Sequence, residues 1–278
     1  MNPADPDIVA ADVARAITED VGAGDVSALL IPADRLAQAR IVSREAGVIS
    51  GIAWAEATFR RLSPVIRVEW AVADGDDLFP GQSLCLISGP ARPMLTAERV
   101  ALNFLQTLSA TATVTRRYVE AVRGTGANIL DTRKTIPGLR YAQKKAVVDG
   151  GGLNHRMGLH DMIMLKENHI QAAGSITQAV RAAKSVAHGL PLEVEVETLS
   201  QMEEALAAGV ERILLDNLDP ERLREAVALN AGRARLESSG NVTLETIREV
   251  AETGVDDISV GALTKHVRAV DLSMRFID

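Results

Sequence analysis

After residue 126 the chain falls into a rhythm that few folds can satisfy. Short apolar runs end in a polar residue, and a stretch with helical spacing follows each of them. The runs are NILD (128–131), MIMLK (162–166), LEVEVE (192–197), RILLD (212–216), ARLES (234–238) and DISVG (257–261). Between them lie GLRYAQKKAVVDG, SITQAVRAAKSVA, LSQMEEALAAG, PERLREAVAL and TLETIREVAETG. Several open on Ser or Thr, a helix N-cap signal, and some close near Gly. Strand–helix alternation with short loops implies a parallel sheet with right-handed crossovers. Such a sheet is either open and doubly wound or rolled into a barrel. LEVEVE helps to separate the two. Glu193, Glu195 and Glu197 point to one face, and Val194 and Val196 to the other. A strand covered by helices on both sides is apolar on both faces. A barrel strand can set valines under the outer helices and carboxylates inward. The pattern favours an α/β barrel. Six evident strands, fewer than the usual eight, make it an incomplete one.

Before residue 112 the character is different. Residues 8–18 (IVAADVARAIT) have helical spacing, and IRVEWAV (66–72) alternates like a half-buried antiparallel strand. The turn ADGDDLFPGQS leads into SLCLISG, a second strand, and residues 39–51 suit a strand, a turn and a strand. Residues 96–122 read as one long helix or two joined ones that bridge the halves. The expected domains are 1–111, a small α+β unit to which the tail 266–278 returns, and 112–265, the barrel. Aromatics are only 3% of the chain, so its core has to be aliphatic. A formal charge of −7 argues against nucleic acid or an anionic membrane as main partner. The single cysteine, Cys85, excludes an intrachain disulfide and reads as a small buried hydrophobe. The acidic N-terminal stretch lacks a signal pattern. No apolar run reaches the roughly 18 residues of a membrane helix. A soluble cytoplasmic protein is expected.

In barrels, function sits at the carboxyl ends of the strands. Those ends carry Asp131, Thr132, Arg133 and Lys134; Lys166; Glu195 and Glu197; Asp216 and Asn217; Ser238, Ser239 and Gly240; and Gly261. From 133 to 166 there are seven cations and two anions, a local surplus of positive charge in an acidic chain. Lys144 and Lys145, in mid-helix, read as a solvated face. In GGGLNHRMG (150–158), His155 and Arg156 follow three glycines and read as an anion clamp. The arginine fork suits carboxylate or phosphate, and glycine N–H groups can donate to the same anion. SSG (238–240) and VGA (260–262) follow the last two strands, where barrels often bind phosphate. Glu195 and Asp216 could hold Mg²⁺ or sugar hydroxyls, or simply pair with Lys134 or Lys166. The ligand read from the residues is highly anionic, with phosphate and sugar and room for carboxylates.

The stretch ILDTRKTIPGLRYAQKKAVVDGGGLNHRMGLHDMIMLKENHI (129–170) resembles quinolinate phosphoribosyltransferase, the decarboxylating nicotinate-nucleotide pyrophosphorylase. EVEVET (193–198), ILLDN (213–217), LESSG (236–240) and VGALTKHVRAVDLSMRF (260–276) do too. GAGDVSALLIP (22–32) and TAERVALNFLQTLSATAT (96–113) extend the likeness into the first domain. The resemblance implies an incomplete six- to seven-stranded α/β barrel with an N-terminal α/β sandwich domain. It implies condensation of quinolinate with phosphoribosyl pyrophosphate, using Mg²⁺, to nicotinate mononucleotide, pyrophosphate and CO₂ in NAD synthesis. It implies a homodimer in which one first domain covers the partner's barrel. By the same match, Arg133, His155 and Arg156 bind the quinolinate carboxylates, and Arg99 reaches in from the neighbouring subunit. Lys134 and Lys166 contact both substrates near the reacting centre. Glu195 and Asp216 hold ribose hydroxyls and the metal. Ser239, Gly240 and Gly261 line the 5′-phosphate loops. The family commonly reads GALTHS where this chain has GALTKH (261–266), so either Lys265 or His266 contacts phosphate. SGN (239–241) stands for the commoner SGG. Three other readings remain: a paralogous phosphoribosyltransferase for another carboxylated base, a Schiff-base aldolase using Lys134 or Lys166, and a non-catalytic phosphosugar-binding barrel, which the acids and bases at the strand ends disfavour.

Overall fold

Each of the six apolar runs forms a strand in the computed structural model, which describes residues 5–186 and 189–277. Residues 1–4 of the acidic N-terminal stretch, Ala187 of the SITQAVRAAKSVA run and Asp278 of the closing tail lie outside the described residues. In chain order the elements are α1 (Pro6–Val21), β1 (Leu36–Ser43), β2 (Gly47–Val48), α2 (Ile52–Leu62), β3 (Arg67–Trp70), β4 (Asp77–Leu78), β5 (Ser83–Pro90) and α3 (Ala91–Ala121). Then come β6 (Asn128–Leu130), α4 (Arg140–Asp149), β7 (Ile163–Leu165), α5 (Glu167–Ala173), α6 (Ile176–Val186), β8 (Leu192–Val196) and α7 (Leu199–Ala207). The chain closes with β9 (Arg212–Asp216), α8 (Pro220–Asn230), β10 (Arg235–Ser239), α9 (Ile247–Ala251), β11 (Asp257–Ser259), α10 (Ala262–Lys265) and β12 (Leu272–Ile277). They form two compact units. One comprises Met1–Arg116, Thr135–Gly151 and Leu263–Asp278, the other Arg117–Lys134 and Gly152–Ala262.

The first unit is built on an antiparallel sheet in the order β12-β1-β5-β3. Ile41 of β1 lies opposite Met274 on one side and Cys85 on the other. The core is aliphatic, as the composition requires, with Ile41, Leu84, Ile87, Met94 and Leu105 buried around Phe59. Burial pushes the Cys85 thiol up to about 12, which leaves it inert. The strand, turn and strand expected over 39–51 form only in part. β2 pairs with β4 rather than with β1. At the end of β1 the Ser43 N–H donates to Gln82 O, and Ser43 O accepts from Gly81 N–H, so the turn before β5 already holds that backbone. Residues 96–121 belong to the single helix α3, which ends one residue short of the expected 122 and has its one proline, Pro93, in the first turn, where a missing N–H costs nothing.

Two expectations about α4 are corrected. Lys144 is fully buried, and Lys145 is ion-paired with Asp149 and Asp74, so neither belongs to a solvated face. The first two glycines after α4, Gly150 and Gly151, are not free donors. Gly150 N–H donates to Ala146 O at 3.0 Å and Gly151 N–H to Val148 O at 2.9 Å, which closes the helix on its own carbonyls. A Cβ at Gly150 would lie 2.5 Å from Ala112 O and 2.6 Å from Thr115 Cβ. Glycine stands there because α4 ends against the backbone of α3.

The second unit is built on a six-stranded parallel sheet in the order β6-β11-β10-β9-β8-β7. Successive strands are neighbours from β7 to β11, and the last strand pairs with the first. That cyclic order is the mark of a barrel. A seam separates β6 from β7, and Leu153 makes a parallel bridge to Leu130 along it. Val194, Val196, Ile213 and Leu215 are buried on one face of the strands. On the other face the register aligns Glu193 with Arg212 and Glu195 with Leu214. It also aligns Arg212 with Arg235, Leu214 with Glu237, and Asp216 with Ser239. The alternation read from LEVEVE is therefore in phase around the sheet. Among the described residues no helix is long and apolar enough to cross a membrane.

Gly150→Ala should lower stability by ~1–3 kcal/mol in chemical denaturation, the usual cost of overpacking. Gly126→Ala is the control, because a Cβ there meets nothing within 4 Å.

Candidate active site

The carboxyl ends of the barrel strands enclose a cavity of about 230 Å³. Thr132, Arg133 and Lys134 line it from beyond β6, His155 and Arg156 from the seam, and Met164 and Lys166 from β7 and the residue after it. Glu195, Leu214, Glu237, Ser239 and Ser259 complete the lining from β8 to β11. A larger depression of about 840 Å³ lies on the first unit, but its titratable groups are only Arg35 and Arg67. The smaller cavity carries acids and bases together, and chemistry is assigned to it.

Its floor is an ionic cage. Arg212 Nε donates to Glu193 Oε1 at 3.0 Å, and its NH2 donates to Glu237 Oε2 and Asp257 Oδ2 at 2.9 Å each. Arg235 donates two further bonds of 2.6 Å to Asp257. His155 Nε2 lies 2.9 Å from Glu193 Oε2 and 3.4 Å from Glu237 Oε2. Burial works against a charged imidazole, but the two glutamates outweigh it and hold the His155 pKa at about 9. Three carboxylates then face two guanidiniums and an imidazolium. The Arg156 N–H lies 2.7 Å from His155 Nδ1, a contact that suits the singly protonated ring. The charge balance of the cage favours the cation, at the expense of that local contact. His155, Glu193 and Glu237 also converge as metal ligands would, with ligand atoms within 4.8 Å. Arg212 already supplies the positive partner of both carboxylates.

The segment that brings His155 and Arg156 to the cavity is pinned from β6. Buried Asp131 accepts from His155 N–H at 2.9 Å and from Asn154 Nδ2 at 2.6 Å. Arg156 leans on the edge of β7, donating to Met162 O at 3.2 Å. Burial, and then the positive charge of Arg133, lower the Arg156 pKa. Two guanidiniums held within each other's field form a site that an anion stabilises. On the opposite side Lys166 Nζ is ion-paired with Glu195. Ion-paired and half-exposed, Lys166 lacks the desolvated setting of a Schiff-base lysine. Burial, and then the charge of Glu195, raise the Asp216 pKa, while Lys166 and Lys134 oppose the shift. Gly261 lies against the Lys134 side chain. Ser239 is at the end of β10, with Gly240 directly after it.

Of the residues singled out, Arg133, Lys134, His155, Arg156, Lys166, Glu195 and Ser239 line this one cavity. Asp216, Gly240 and Gly261 are not among its lining residues, although the charges of Glu195, Lys166 and Lys134 act on Asp216. Glu197 lies beyond β8, exposed, and does not line the cavity. Arg99, on α3, and Lys265, on α10, are exposed residues of the first unit. The cage of Arg212, Glu237 and Asp257 is not evident in the sequence. Its one signal was Glu193 in phase with Glu195; the other members stand at strand starts or inside strands.

Comparison with known proteins gives one consistent picture. The family model for quinolinate phosphoribosyl transferase, C-terminal domain, matches residues 111–275, and that for the N-terminal domain matches residues 20–109. The chain is 43% identical to the chloroplastic nicotinate-nucleotide pyrophosphorylase (carboxylating) of Oryza sativa subsp. japonica, over 94% of this chain and 75% of that one. The solved nicotinate-nucleotide pyrophosphorylase of Francisella tularensis superposes with a TM-score of 0.96 at 42% identity, covering 98% of this chain and 97% of that chain. NadC from Streptococcus pyogenes gives a TM-score of 0.92 at 41% identity, covering 96% of both chains.

The cage predicts a pH dependence. A His155 pKa raised to about 9 adds stability that is complete below its ordinary value near 6.5 and is lost as pH rises through 9. Denaturation midpoints should fall across that interval, and His155→Gln should flatten the fall. A wild-type midpoint constant from pH 6.5 to 9.5 would contradict the charged floor.

Proposed function

The chain belongs to the quinolinate phosphoribosyltransferase family, and on that premise we propose how the cavity of its second unit performs the family's reaction. The enzyme moves phosphoribosyl from phosphoribosyl pyrophosphate to quinolinate with loss of CO₂, giving nicotinate mononucleotide and pyrophosphate for NAD synthesis. The observation that carries the site assignment is the crowding of Arg133, Lys134, Arg156 and Lys166 around one cavity whose other wall is acidic.

Arg133 and Arg156 take the two carboxylates of quinolinate, relieving the repulsion between their guanidiniums. Charged His155 beneath them adds to the field. Lys134 and Lys166 stand between this pocket and the acids, within reach of both substrates. Ser239, Gly240 and Gly261 receive the 5′-phosphate, with Lys265 or His266 as a further contact. Glu195 and Asp216 face the ribose. As the C1–pyrophosphate bond breaks, the ribose carbon becomes positive, and the two carboxylates stabilise that charge. The pyridine nitrogen attacks from the cationic side. The ring, now positive, accepts the electron pair of the adjacent carboxylate bond, CO₂ leaves, and the ring carbon takes a proton. Positioning and fixed charge suffice, with no covalent enzyme intermediate.

Mg²⁺ fits the donors present. Glu195 and Asp216 are oxygen ligands of the kind the ion prefers; burial, and after it the charge of Glu195, raise the Asp216 pKa, and a dication would relieve the second of these. When bound, it would neutralise the departing pyrophosphate.

The working assembly is a homodimer in which Arg99 enters the neighbouring site. Its surroundings support this. Asp25 accepts from Thr96 Oγ1 at 2.9 Å, tying the segment that carries exposed Val26, Leu29 and Leu30 to the helix of Arg99. Those side chains are an apolar surface ready to be covered.

Incubation with quinolinate, phosphoribosyl pyrophosphate and Mg²⁺ should release CO₂ and pyrophosphate in equal amounts. Arg133→Ala should weaken quinolinate binding by ~2–5 kcal/mol, as for a truncated charge pair; unchanged affinity refutes that role. Mixing Arg99→Ala chains with Arg156→Ala chains should restore part of the lost activity. Verified mixed dimers that stay inactive count against a shared site.

A further inference from the structure

Just past the end of β9 stands a residue with no role in the reading above. Asn217 has φ +55°, a left-handed backbone that a non-glycine residue rarely adopts and that Asn tolerates best. Its side chain is exposed, yet its polar groups turn to neighbours. Asn217 Nδ2 donates to Asp216 Oδ2 at 2.7 Å. Its backbone N–H donates to Ser239 O at 2.9 Å. Its Oδ1 accepts from Asn241 Nδ2 at 3.4 Å. A Cβ at Gly240 would stand 2.1 Å from that Oδ1 and 2.7 Å from Asn217 Cγ, so glycine at 240 leaves the room that the Asn217 amide occupies. Asp216 and Ser239 are direct partners in the β9–β10 register.

We propose that Asn217 is a positioning residue that locks the Asp216 carboxylate to the 239–241 loop, so that the acid facing the ribose and the loop facing its 5′-phosphate are held as one piece. The inference rests on the assignment of those two elements in the proposed function. The amide acts by its donor: Nδ2 fixes one Asp216 oxygen and leaves the other for ligand. A mere turn-former would need only the left-handed backbone, which glycine supplies freely and which aspartate also tolerates.

Two variants separate the possibilities. Asn217→Gly keeps the turn and removes the donor. Asn217→Asp keeps the turn and sets a second carboxylate against Asp216. Three quantities are read in the full-length wild type and both variants. They are the KM for phosphoribosyl pyrophosphate, and calorimetric Kd values for nicotinate mononucleotide, without added divalent cation, and for quinolinate. Loss of one hydrogen bond to a charged group should raise the first two about tenfold in the Gly variant. The Asp variant should be worse than the Gly variant, and quinolinate Kd should stay within about twofold in both. An unchanged nucleotide Kd in Asn217→Gly overturns the proposal. So does an Asp variant as good as wild type, or a parallel loss of both ligands with a fallen Tm, which marks a structural role only. A wild-type protein that fails to turn over quinolinate with phosphoribosyl pyrophosphate overturns the proposed function as well.

Discussion

Arg212 makes the barrel interior possible. Glu193, Glu237 and Asp257 come from three strands, and the register leaves them almost entirely out of water. Each buried carboxylate carries a desolvation penalty of several kcal/mol unless a well-placed partner offsets it. Arg212 reaches all three, Arg235 adds to Asp257, and His155 caps the two glutamates from above. Without that cation the strands could not present this face to one another. An aliphatic floor would have satisfied stability alone. The ionic floor supports a charged histidine beneath a site whose upper wall is already cationic, and so raises the local positive field.

The cationic rim rests on parts with other duties. Asp131 belongs to the NILD run, but its carboxylate is turned to the segment of Asn154 and His155. Arg156 leans on the backbone at the start of β7. The positions of the cavity-lining His155 and Arg156 therefore follow from backbone and buried acids, which is how rigid sites are built.

The barrel was legible because closure leaves a mark on a single strand: carboxylates and valines cannot alternate in a sheet covered on both sides. The strand-end cations were legible because the ends of parallel strands converge. Arg212 was not, because it begins its strand, and its partners meet it only through a register that no local pattern encodes. Lys144 was misread because helical spacing shows which residues share a face, not how many faces are covered. The three glycines were read toward a ligand because glycine signals close approach without saying of what. At Gly150 the neighbour is the chain's own helix α3. Asn217 lay in plain view in ILLDN, but its left-handed backbone is visible only in three dimensions.

The seam between β6 and β7 has a consequence of its own. A closed ring fixes its circumference, since changing it means breaking a ladder somewhere. Here the ring is interrupted, and the interruption is occupied by the peptide that delivers His155 and Arg156. Insertions or deletions in that peptide alter the reach of both side chains and leave every strand pairing intact. What the gap presents to the cavity can thus change while the remaining staves of the cask keep their alignment.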